Sequence, residues 1–214
     1  SRPVEALAWT AAALAIIVIG FAGADRWFYE TVSLRLNDES RPIGRDFHAV
    51  TRPIWEVIRF AFASIFAAGV LAALGIVIDD KRWKRYVAAL ACVLVVSLAA
   101  NVLQGAIGRV RPNQADSHLA FKPPLSQLLT KQEVCLPSGE ATMAFAIATP
   151  IALFFPRWRY LAYLCAALGA IARLINGAHY PSDIAAGALL GCWGTRLLLL
   201  GPARGYSGWR INVR

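Results

Sequence analysis

The chain is patterned by long stretches free of Asp, Glu, Lys and Arg, separated by clusters of charge. Residues 6–24, 60–78 and 86–108 form three such stretches of 19, 19 and 23 residues. A helix needs about 20 mostly apolar residues to cross the hydrocarbon core of a bilayer. Three shorter stretches follow at 141–156, 160–172 and 184–195. The last reaches Leu200 if Arg196 lifts its charge to the interface. The pattern predicts an all-α integral membrane bundle of six transmembrane helices, with the 214 residues forming a single membrane domain. The first stretch follows Arg2 as a leader would, but it lacks a short apolar core and two further long stretches follow. It is expected as a retained helix.

Composition supports this reading. Hydrophobic residues make up 57% and charged residues 16%, against about 45–50% and about 25% in an ordinary soluble domain. Mean hydropathy is +0.50. So little charge excludes a disordered tail, a coiled coil and a typical nucleic-acid-binding domain, despite a net charge of +9. Seven Trp, six Tyr and ten Phe are enough to anchor helix ends at a membrane surface.

Six spans put both termini on one side. That side also holds the two short loops, 79–85 and 156–159, which are strongly cationic and are therefore expected in the cytoplasm. It collects 11 Lys or Arg against 3 Asp or Glu, while the opposite side has 11 against 10. Segments 25–59 and 109–140 are then extracytoplasmic, and loops of that length usually carry function. The first interleaves charge with Trp27, Phe28, Tyr29, Phe47 and Trp55, and reads either as a connector or as an interfacial helix. The small Ala-rich helices lead to the expectation of a bacterial inner membrane. Cys92, Cys165 and Cys192 fall within spans, while Cys135 faces the oxidising side without an obvious partner. Neither a disulfide nor a metal site is expected, because no Cys/His pair has ligand spacing.

Charged and polar groups at helix ends on one side of a bundle are functional candidates. Gln104 and Arg111-Pro112 sit where the third span exits, and Pro137-Ser138-Gly139-Glu140 where the fourth enters. Arg173 ends the fifth span, and His179 and Asp183 lead into the sixth. Together they describe an oxyanion site. Arg111 and Arg173 offer permanently charged forks suited to phosphate oxygens. Ser138-Gly139 opens a helix whose free N–H groups favour an anion. His179 and Asp183 are four apart, so the carboxylate can reach the imidazole and fix its tautomer. Singly, each group has a plainer reading as an interfacial anchor, a satisfied histidine or a helix cap. Their joint order is what points to chemistry.

That order resembles the type 2 phosphatidic acid phosphatase (PAP2) superfamily of membrane lipid phosphatases. The family signature is Lys-x6-Arg-Pro, Pro-Ser-Gly-His and Ser-Arg-x5-His-x3-Asp. Gln104-x6-Arg111-Pro112, Pro137-Ser138-Gly139-Glu140 and Ala172-Arg173-x5-His179-x3-Asp183 answer its three parts. The resemblance covers about residues 60–200, which would form the catalytic core. It implies that His179 attacks phosphorus to give a phosphohistidine, with Asp183 orienting it. Arg111, Arg173, Ser138, Gly139 and Gln104 would hold the phosphoryl oxygens. It implies no metal or other cofactor, and as partners a phosphorylated lipid and the surrounding membrane lipids, reached from the outer leaflet. Asn113, His118 and Lys122 lie on the following loop, either as a solvated face or near a headgroup.

Three positions depart from the signature: Gln104 for Lys, Glu140 for His and Ala172 for Ser. The histidine replaced by Glu140 is the one that would protonate the leaving group. Glu140 itself can take that part, its pKa raised by burial beside an anionic substrate. Alternatively, a good leaving group such as a phosphate needs little acid help, as with undecaprenyl diphosphate. In a third reading the chain is catalytically impaired and binds or transports a phosphorylated lipid, since an ionised Glu140 repels a phosphate unless it is protonated or bridged to arginine. Phosphatidic acid, phosphatidylglycerol phosphate, undecaprenyl diphosphate and lipid A phosphates all remain candidate substrates, with water or another lipid as acceptor.

Overall fold

The computed structural model of the chain describes residues 2–37, 64–127 and 133–201, with isolated positions between 53 and 60. Helix α1 (Arg2–Ile19) continues through a wide π-helical turn, Gly20–Ala24, and a kink at Gly23 (φ 126°) into further helical turns that end at Asn37. Helices α2 (Ile65–Ile78) and α3 (Trp83–Ile107) follow, joined by the short turn Asp80–Arg82. Then come α4 (Gly139–Phe154), α5 (Arg159–Ile175) and α6 (Pro181–Leu189), which runs on through Leu190–Gly194 into Thr195–Leu200.

These helices coincide with the six apolar stretches, with one extension. The first stretch ends at Asp25 by charge, yet the helix carries on to Asn37. The reason is that the Asp25 carboxylate is wholly buried and paired, so its charge does not end the helix. Of segment 25–59, residues 25–37 are therefore helical, while Phe47 and Trp55 lie outside the described residues.

Helix α4 sits at the centre, packed against α3, α5 and α6, while α1 covers α6 and α2 covers α3. Its faces are small: Ala144, Ala146, Ala148 and, opposite them on α5, Ala166 are buried. Small residues let helix backbones approach where lipid offers no hydrophobic drive for association. Gly187 on α6 shows how close this is, since a Cβ there would lie 2.6 Å from the Ser138 carbonyl at the start of α4. The large apolar side chains point the other way. Val95, Leu98, Val102, Leu164 and Leu197 are exposed. An apolar belt of that extent is not tolerated in water but matches lipid. Among the described residues, Val4–Leu36, Asp80–Ile107, Pro156–Ile175 and Pro181–Leu200 are long and apolar enough to span a membrane, and Phe66–Ile78 and Gly139–Phe154 are shorter apolar helices. This is an integral membrane protein.

Between α3 and α4 the chain leaves the bundle and folds back on itself. Residues 109–111 form the middle of three paired segments: Val110 N–H donates to Ala120 O, Arg111 N–H to Glu133 O, and Cys135 N–H to Arg109 O, each at 2.9 Å. Isolated antiparallel bridges pair Arg109 with Phe121 and Val110 with Val134. This clip fixes Arg109 and Arg111 against the ends of α4 and α6.

Candidate active site

The site is built by how α5 ends and α6 begins. Helix α5 closes with Gly177 N–H on Leu174 O and Ala178 N–H on Arg173 O, the paired bonds of a Schellman motif. That motif needs a left-handed residue, supplied by Gly177 at φ 63°. The reversal leads through Ala178 to His179 and the start of α6. Tyr180 then caps α6, Pro181 takes the first helical position, and the Asp183 carboxylate accepts the Tyr180 N–H through Oδ2 at 2.8 Å. The Asp183 carbonyl also accepts Ser138 N–H at 3.0 Å, which ties the start of α4 to the start of α6.

His179 is 4% exposed. Its Nδ1 lies 3.0 Å from the Cys135 carbonyl. A carbonyl has no proton to give, so Nδ1 carries the hydrogen and Nε2 keeps its lone pair. Asp183 Oδ2 stands farther away, 3.8 Å from Nδ1. The imidazole is thus oriented first by a backbone carbonyl, with the carboxylate as a neighbouring charge. In the neutral tautomer this leaves Nε2 as the nitrogen with the free lone pair.

The other expected residues stand at the neighbouring helix ends. Ser138 caps α4, its Oγ accepting Ala141 N–H at 3.4 Å, and Gly139 opens the helix. Arg111 follows the α3 exit, and its Nε is buried without a hydrogen-bond partner. Gln104, in the last turn of α3, donates from Nε2 to Val134 O at 3.2 Å, so its amide also pins the segment leading to α4. Glu140 and Arg173 form an ion pair, Oε2 to Nε at 2.5 Å. The carboxylate that replaces the signature histidine is therefore bridged to an arginine. Of the loop residues, His118 Nε2 sits 3.2 Å from Phe21 O, and Lys122 pairs with Glu133. Among the described residues no group of three His, Cys, Asp or Glu side chains is arranged to hold a metal.

Two charged residues at the heart of the site were not singled out by their sequence positions. Arg109 is wholly buried. Its Nη1 donates to Asp183 Oδ1 at 2.8 Å and to Ser182 Oγ at 2.6 Å, and its Nη2 to Asp25 Oδ2 at 2.8 Å. Nε and Nη2 both donate to His118 O. The guanidinium plane is stacked between the Phe21 and Tyr180 rings at 4.4 and 4.3 Å. Asp25 in turn accepts the Ser182 N–H at 3.1 Å and the Ser182 hydroxyl. Burial alone would lower the Arg109 pKa, but Asp183 and Asp25 outweigh it and hold the group above its ordinary value. A usable signal existed. Arg109 and Arg111 are two apart, and Asp25 is the first charge after a spanning run.

Cys135 is buried rather than facing the oxidising side, with Sγ 3.3 Å from Val110 O and 3.4 Å from Arg109 O. Burial, reinforced by the Asp183 carboxylate, pushes its thiol well above the ordinary value. Since the thiolate is the reactive form, Cys135 should resist iodoacetamide at neutral pH in the folded protein. It should be alkylated after denaturation in dodecyl sulfate, as read by peptide mass spectrometry.

Residues 85–204, more than half of the chain, match the PAP2 superfamily. The chain belongs to this superfamily. It is 37% identical over 113 residues to the lipid A 1-phosphatase of Rhizobium johnstonii, covering 52% of this chain and 46% of that protein. The lipid A 1-phosphatase of Rhizobium etli matches at the same identity, with 52% and 48% covered. The lipid A 4'-phosphatase of Bacteroides thetaiotaomicron is 28% identical over 157 residues, covering 69% and 70%. The chain thus spans about half the length of the Rhizobium relatives it matches. In fold, the chain is similar to the crystal structure of a transmembrane PAP2 type phosphatidylglycerolphosphate phosphatase from Bacillus subtilis. The TM-score is 0.61 at 19% identity, with 94% of this chain and 97% of that one covered. Asp25 lies outside the matched PAP2 residues, yet it joins the site from the first helix.

Proposed function

We propose that this PAP2 protein is a membrane lipid phosphatase or phosphotransferase working through a phosphohistidine on His179 at the extracytoplasmic face. The hydrogen bond from Nδ1 to the Cys135 carbonyl carries this reading, because it leaves Nε2 as the nucleophile. Nε2 attacks phosphorus, the bond from phosphorus to the lipid oxygen breaks, and that oxygen takes up a proton. A water oxygen then attacks phosphorus as its proton passes to the Glu140 carboxylate, the P–N bond breaks, and phosphate leaves with the neutral imidazole restored. A lipid hydroxyl in place of water gives transfer. Arg111, Arg173, Ser138, the Gly139 amide and Gln104 hold the phosphoryl oxygens, and Asp183 stabilises the imidazole as charge develops on it. The names of the Rhizobium and Bacteroides relatives favour a lipid A phosphate as substrate over phosphatidic acid, phosphatidylglycerol phosphate or undecaprenyl diphosphate.

Glu140 is the acid in this scheme. At rest it is held by Arg173. A substrate phosphate competes for the same guanidinium, and the displaced carboxylate, now beside an anion in a site of low dielectric, gains a proton to give to the leaving oxygen. Glu140→Gln should then lower kcat about 10²–10⁴-fold for a lipid monophosphate, and far less for undecaprenyl diphosphate, whose phosphate leaves without help. Equal losses on both substrates would remove Glu140 from the acid's part. The whole reading is tested by phosphate release in detergent from these lipids, with acid-labile ³²P trapped on His179. Silence on every substrate, with activity appearing in Glu140→His, would favour instead a protein that binds or carries a phosphorylated lipid.

A further inference from the structure

Beside the site, the far end of the first helix and the 115–118 loop enclose a cleft of about 220 Å³. Its lining includes Arg26, Tyr29, Glu30, Asp116, Ser117 and Tyr180. The helix Val4–Leu36 has 33 residues, about 50 Å at about 1.5 Å per residue, against a hydrocarbon core of about 30 Å. The charge-free part, 6–24, at about 28 Å nearly fills the core by itself, so the turns beyond the kink at Gly23 and the cleft they form lie at headgroup level. The walls are tied together: Arg26 Nη1 donates to Asp116 O at 3.0 Å, and the Tyr29 and Tyr180 rings meet edge to face with centroids 6.3 Å apart. Tyr180 also joins the cleft to the site, being next to His179 and stacked on Arg109.

We infer that this cleft is the subsite for a sugar headgroup of the lipid phosphate, an inference that rests on the function proposed above. An acyl chain lying here would strip water from carboxylate, guanidinium and hydroxyl groups and return no hydrogen bonds. A cationic headgroup would meet Asp116 alone, since Arg26 already answers Glu30 at 2.7 Å, and would leave the hydroxyl and guanidinium groups of the wall unused. Sugar hydroxyls both donate and accept, which suits a wall of carboxylates, a guanidinium, a serine and two tyrosines. The cleft volume suits one sugar ring, and its phosphate would then lie toward His179.

The test compares phosphate release from lipid A bisphosphate and from phosphatidic acid by the wild type, Tyr29→Leu and Glu30→Gln. Glu30 is on the surface, so its variant leaves the fold intact even if the Tyr29 variant does not. Both variants are expected to raise KM for lipid A about tenfold, the loss of one to two hydrogen bonds, with kcat and KM for phosphatidic acid unchanged. Equal effects on the two lipids, or none on either, would overturn the subsite while leaving the phosphatase intact. A wild type inactive on both lipids would overturn the functional reading itself.

Discussion

Replacing His179 by alanine is expected to lower phosphate release by at least about 10⁴-fold, as removal of a covalent nucleophile does in other enzymes. The size follows from the scheme, because Nε2 of His179 is the atom that forms the bond to phosphorus. The same change deletes the hydrogen bond to the Cys135 carbonyl, worth about 0.5–1.5 kcal/mol. The protein should therefore still fold, with a modest drop in melting temperature in detergent. Measuring turnover and melting together separates the two effects. Residual activity near the wild-type level in a folded variant would remove His179 from the chemistry.

Arg109→Leu should produce the largest loss of stability, about 3–5 kcal/mol. The guanidinium pairs with two carboxylates, Asp25 and Asp183, and all three side chains are fully buried. Taking the cation away leaves two like charges closed off from solvent, a cost that burial of a leucine does not offset. Arg109→Lys should recover only part of this, since a single ammonium cannot reproduce the fork that reaches Asp25, Asp183 and the His118 carbonyl. Asp25→Asn should cost less, because the amide keeps the shape and Arg109 keeps Asp183. Chemical denaturation in detergent micelles would rank the three. If Arg109→Leu melts like the wild type, the network is not what joins α1 to α6.

The apolar runs and the signature spacings made the bundle and most of the site legible. A run of about 20 uncharged residues has one physical solution in lipid, because every backbone N–H and C=O must be paired within the segment. The order of Arg111, Ser138-Gly139, Arg173, His179 and Asp183 likewise carried its own logic, since each stands at a helix end. Charge ends the apolar run at residue 24, yet the helix continues to Asn37. Asp25 is charged, but its counter-ion comes from 84 positions along the chain.

Sequence by itself determined an all-α membrane bundle, a phosphatase family and a set of candidate residues at its helix ends. Only the tertiary structure decided how those residues are employed. Hydropathy and local motifs report each residue's own solvent preference and its neighbours within a turn or two. They do not report which distant group will meet it. So the pairing of Glu140 with Arg173, the Cys135 carbonyl on His179, and Arg109 between Asp25 and Asp183 became visible only once α1, the clip after α3 and the start of α6 were packed together. A buried charge is tolerable only with its partner, and that partner is chosen by the fold.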